Sequence, residues 1–203
     1  GVWWFYEMSN EVAAFWSAFS VLFYVFIYSI WLKRRTPQNI VIGGIAGSTP
    51  PVIGWAASSE DLSISTDSMA SVLDSVIELG SPMPWFMFLL IFLWTPPHFW
   101  ALALYRSEEY AEVGVPMLPN VKGPERTLLE MKVYAILLVL LSLAAPITLE
   151  EVKIEDWSYH VLSWTILGLS LWYASTVWRI DISEVLDETG RISSAATSFF
   201  VSM

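Results

Sequence analysis

The chain has 203 residues, 55% hydrophobic and only 15% charged, with mean hydropathy +0.54. A soluble domain carries about 25% charged residues, so these apolar side chains exceed what one globular core hides, and the chain reads as a membrane protein. The absence of cysteine excludes disulfides and thiol chemistry, two histidines exclude a His-rich metal cluster, and a net charge of -10 argues against nucleic acid as a partner.

A bilayer core needs about 20 apolar residues per helix. Residues 12–32 meet this with no internal charge, whereas 39–57 are diluted by glycine and proline. Residues 85–105 qualify and carry Pro96, Pro97 and His98 inside. Spans at 128–149 and 158–178 follow, and a further apolar segment starts at Ser193. The fold class is therefore an all-α polytopic membrane protein, with five spans and the start of a sixth. The chain begins at Gly1 and ends at Met203 inside an apolar run, as a fragment cut at both ends would.

The loops sort by charge. Lys33, Arg34 and Arg35 occupy the 33–38 loop, Arg106, Lys122 and Arg126 the 106–127 loop, and Arg179 and Arg191 the last loop. The 58–84 loop holds Glu60, Asp61, Asp67, Asp74 and Glu78 without a cation, and the 150–157 loop is acidic apart from Lys153. The positive-inside rule puts the basic loops in the cytoplasm. Trp3, Trp4, Trp31, Trp55, Trp85, Trp157 and Trp178 lie near span ends, as interface anchors do. Within the acidic loop, Met69, Val72, Leu73, Val76 and Ile77 follow helical spacing. Thr66 or Asp67 is the expected cap, and Gly80 with Pro82 the expected stop, of a short surface helix.

Four stretches carry candidate chemistry. Lys33-Arg34-Arg35, followed by Thr36, Gln38 and Asn39, offers an anion site, because guanidinium forks bind phosphate oxygens bidentately; the plain alternative is a topology signal. Glu108, Glu109 and Glu112 crowd a loop on the cationic side, where carboxylates can hold Mg²⁺ that bridges a diphosphate; the alternative is a solvated charged loop. Pro96 and Pro97 remove two backbone donors, so a kink or break is expected. His98 at that depth suggests function, against a histidine satisfied by a neighbouring helix. Gly43 and Gly47, four apart, give one helix face close approach to a neighbour.

In order, the strings LKRRTPQNIVIGG, PPVIGWAA, FLWTPPHFWALALYR, EYAEVGVPMLP and VKG resemble the protoheme IX farnesyltransferases (haem O synthases), a branch of the UbiA superfamily of intramembrane prenyltransferases. The close match covers roughly residues 28–57 and 90–123. The resemblance implies one transmembrane prenyltransferase domain over 1–203, corresponding to the fourth to ninth of nine family helices. It implies transfer of a farnesyl group from farnesyl diphosphate to a vinyl group of haem b, with water addition and diphosphate release. It also implies Mg²⁺ on Glu108 and Glu109, with Tyr110 beside them. Lys33, Arg34, Arg35, Asn39, Arg106 and Lys122 would face diphosphate or haem propionates, and His98 the haem. Tyr105, Tyr110, Trp94, Phe99 and Trp100 are candidates to shield an allylic cation. The cell membrane is the implied location, and haem A synthase or oxidase assembly factors are implied partners.

Two departures stand out. Glu108-Glu109-Tyr110 replaces the common Asp-Asp-Tyr, and the first Asp-rich motif would lie before Gly1, so the chain alone is expected to be inactive. A transporter or channel built on broken helices is the alternative class, and it would place its functional residues near the midplane.

Overall fold

A computed structural model describes residues 1–150, 156–184 and 191–203. A short helix, α1 (Val2–Met8), precedes α2 (Glu11–Leu32), whose second half winds in wider turns that end with the Lys33 amide donating to the Tyr28 carbonyl, five residues back. Among the described residues, four helices are long and apolar enough to cross a membrane: α2, the pair α3 (Asn39–Gly47) and α4 (Pro50–Ser58) taken together, α6 (Met83–Tyr105), and the His160–Trp178 part of α11 (Asp156–Trp178). Around them lie α5 (Met69–Ile77), α7 (Ser107–Glu112), α8 (Leu118–Lys122), α9 (Pro124–Ser142), α10 (Ala145–Glu150) and α12 (Ser193–Val201).

The second span is interrupted at Ser48 and Thr49, because Pro50 and Pro51 cannot donate to the preceding turn. Both hydroxyl residues are fully buried. Ser48 Oγ donates to the Gly44 carbonyl at 2.7 Å, and Thr49 Oγ1 lies 2.8 Å from both the Ala46 carbonyl and Ser20 Oγ of α2. Side-chain hydroxyls thus repair a backbone gap that hydrocarbon could not solvate.

The expected break in α6 is absent: the helix runs unbroken through Pro96 and Pro97. Only the carbonyls of Phe92 and Leu93 lose their usual donors, and both prolines are buried in protein. The expected 128–149 span is divided instead. Helix α9 begins earlier, among Glu125, Arg126, Glu130 and Lys132, and stops at Ser142. Pro146 explains the stop, since its ring would clash with the Ser142 carbonyl. The acidic 151–155 stretch with Lys153, and the side chain of Trp157, lie outside the described residues.

The main core joins α6, α9, α11 and α12 through Trp100, Leu104, Met131, Leu138, Val177 and Ala195. Small residues let these helices approach, since lipid gives apolar side chains little reason to prefer protein.

The surface helix α5 forms where the apolar spacing places it, but Ser68 caps it, not Thr66 or Asp67. Ser68 and Ser71 exchange side-chain to backbone hydrogen bonds. Gly80, at φ +73°, turns the chain after it, a conformation costly for other residues. Three indoles hold the end of this segment. Trp16, Trp85 and Trp55 donate to the carbonyls of Val76, Ile77 and Leu79 at 2.9, 2.9 and 3.0 Å. Asn10, capping α2, donates to the carbonyls of Ala56 and Ser59. These bonds define one end of the bundle, the acidic end.

Candidate active site

The opposite end gathers the basic loops. Ile40, Ala103 and Met117 pack together with Tyr110 and Val115, joining the base of the 33–38 loop to the segment after α6. Gly114, at φ +67°, reverses the chain after α7 so that the Val115 amide returns to the Tyr110 carbonyl.

Glu108 and Glu109 lie in the first turn of α7. Glu109 stands between two guanidiniums: Arg106 Nη1 lies 3.3 Å from Oε2, and Arg191 Nη2 lies 2.7 Å from Oε1. Arg191 also stacks over the Tyr105 ring, 5.2 Å from its centroid. The bond to Glu109 holds the Arg191 guanidinium above its ordinary pKa. Burial raises the Tyr110 hydroxyl, with Arg106 opposing and Glu109 adding to that shift. Tyr105, Arg106, Glu108, Glu109, Glu112 and Arg191 line a small cleft of about 100 Å³.

Sequence reading missed Arg191 as a site residue. The only signal was its sign, in a loop 82 positions from Glu109.

The other candidates divide. Arg34 and Arg35 are exposed, and Lys33 extends over the Tyr28 ring at 6.0 Å. Asn39 is buried and braces the loop, its amide donating to the Thr36 carbonyl at 2.8 Å and the Lys33 carbonyl at 3.4 Å. Lys122 is exposed at the end of α8.

His98 sits apart from the charged cleft. It is stacked between Trp94 and Phe199, at 4.3 and 4.8 Å, and its Nδ1 is 2.6 Å from Ser202 Oγ. A neighbouring helix therefore satisfies this nitrogen. An apolar cavity of about 420 Å³ adjoins it, lined by Trp94, Leu138, Tyr173 and Ser202 among others. Of the proposed cation shields, Trp94 lines this cavity, Trp100 is fully buried against Tyr134, Phe99 is exposed, Tyr105 lines the cleft, and Tyr110 packs with Ile40, Ala103 and Met117.

Mg²⁺ takes one or two carboxylates and completes its shell with water and phosphate oxygens. Among the described residues, no group of three or more His, Asp or Glu is placed to hold a metal. A Mg²⁺ on Glu108 and Glu109 would draw most of its shell from water and phosphate oxygens, and the Glu109 oxygens that would take it here face Arg106 and Arg191.

A family model described as the UbiA prenyltransferase family matches residues 1–189. Curated relatives include protoheme IX farnesyltransferases from a Bradyrhizobium species, 49% identical over 162 residues, and from Bartonella bacilliformis, 40% identical over 194. These alignments cover 80% and 96% of this chain, but 45% and 54% of the relatives. A third, from Parvibaculum lavamentivorans, is 42% identical over 90% of this chain and 50% of its own length. The chain thus spans about half the length of the curated relatives it matches. No solved structure matches it.

Proposed function

The chain belongs to the UbiA prenyltransferase family, and on that premise we propose that the whole protein farnesylates haem b. The C1–O bond of farnesyl diphosphate breaks, and its electron pair leaves with diphosphate. The vinyl π electrons of haem b form the new bond to C1. The cation left on the vinyl carbon is captured by water, which then loses a proton, giving haem O.

The observation that carries this reading is the convergence at one membrane end of Arg106, Glu109 and Arg191 with the Lys33–Arg35 loop. The relatives' names, protoheme IX farnesyltransferase, supply the substrates. Arg34, Arg35 and Arg106 bind and orient the diphosphate, which lowers the barrier to its departure as negative charge develops. Arg191 takes part in the same field while positioning Glu109 and Tyr105. Glu108 and Glu109 hold Mg²⁺, which when bound neutralises charge on the leaving diphosphate. The apolar cavity beside His98, with Trp94 in its wall, receives the isoprenoid chain and keeps water from it. His98, fixed by Ser202, acts as a polar anchor near the haem. The basic end faces the cytoplasm of a cell membrane, as its cations direct.

Membranes carrying the complete gene product, given haem b, farnesyl diphosphate and Mg²⁺, are expected to form haem O, detected by chromatography and mass, and to lose it with EDTA. Folded protein that yields no haem O would overturn the reading, and product that persists in EDTA would overturn the metal.

A further inference from the structure

The segment α5 presents three faces. Residues four apart stack on one helical stripe, so Met69, Leu73 and Ile77 line up; they are 76%, 51% and 51% exposed. Val76, on the adjoining stripe, is buried against the bundle. Asp74 and Glu78 occupy a third, exposed arc. An apolar stripe thus lies open between a protein face and an acidic face.

The surroundings identify what covers it. Helix α5 packs chiefly on the Asn10 end of α2, a helix long and apolar enough to cross a membrane. The last turn of α5 is fixed by the indoles of Trp16, Trp85 and Trp55. Indoles at span ends mark the depth where acyl chains meet headgroups. The exposed stripe is therefore held at the rim of the membrane spans. We propose that α5 lies in the leaflet at the acidic end, with Met69, Leu73 and Ile77 among the acyl chains and Asp74 and Glu78 in water. With no Lys or Arg on the helix, the anchorage is apolar and takes nothing from anionic headgroups. It does not depend on the transferase reading.

This stretch holds no cysteine, and any elsewhere in the full-length protein is first changed to serine. Leu73→Cys, Ile77→Cys, Asp74→Cys and Glu78→Cys are each labelled with a small thiol fluorophore in phosphatidylcholine vesicles. Brominated acyl chains serve as the lipid quencher and iodide as the aqueous one. Labels at 73 and 77 are expected to be quenched several-fold more by bromolipid than those at 74 and 78, with the order reversed for iodide. Replacing a third of the lipid by phosphatidylglycerol should leave the pattern unchanged. Iodide reaching 73 and 77 as freely as 74 and 78 would overturn the proposal. So would shielding of 73 and 77 from both quenchers, which would signal a protein partner instead.

Discussion

Glu109 gives each of its carboxylate oxygens to a different guanidinium, though its side chain is nearly half exposed. Ion pairs this open to water add little to folding stability, so the arrangement matters for the charge it assembles. In the full-length protein, Glu109→Ala is expected to lower haem O formation by about 10²-fold or more, the scale of a lost electrostatic contact to a transition state. Its thermal unfolding in detergent should stay within a few degrees of the parent. Retained turnover would remove Glu109 from the metal role. Arg191→Lys keeps the charge but loses the fork and the stacking on Tyr105. It should raise KM for farnesyl diphosphate more than it lowers kcat, which a purely structural residue would not do.

At the scale of the helix, the Gly43–Gly47 stripe resolves into one close approach and one open site. A Cβ at Gly43 would come within 2.8 Å of Tyr28 Cε2 and 3.0 Å of its Cγ, whereas nothing lies within 4 Å of one at Gly47. The near atoms belong to the body of a ring, which cannot swing aside as a flexible tip would. Gly43→Ala should therefore destabilise by about 1–3 kcal/mol, the usual cost of overpacking, and Gly47→Ala should not; thermal unfolding in detergent separates them. Spacing alone could not distinguish the two glycines, since the difference rests on where the wide turns of α2 place Tyr28. The long charge-free run of α6 was legible in sequence because it needs no partner to be recognised. Of the kink or break expected from its two prolines, the break does not occur, because a proline's effect depends on whether neighbours tolerate the freed carbonyls. The cap of α5 was placed one residue early for a similar reason: Ser68 wins through its reciprocal bonds with Ser71, while Thr66 and Asp67 are equally good caps by type. Glu108 and Glu109 stand out in the local sequence, whereas the Arg191 that meets Glu109 does not, because nothing in the chain marks a contact made across 82 positions.

Across the described residues, the cations gather at one end, and side-chain contacts tie each end together. Arg191 meets Glu109 at one end, while Asn10, Trp16 and Trp85 meet 56–79 at the other. A Val113→Cys label and a Glu60→Cys label should accordingly react with impermeant thiol reagents from opposite sides of the membrane, with Val113 on the cytoplasmic side. Reaction of both from one side would refute the alternating topology. The reach from Glu109 to Arg191 also has a meaning in time. A ribosome adds roughly 5–20 residues per second, so the carboxylate emerges some seconds, on the order of 4–16, before the guanidinium that clasps it. In that interval Arg106 is the one of the two guanidiniums already made, and the cleft is completed only when the segment leading into α12 is synthesised.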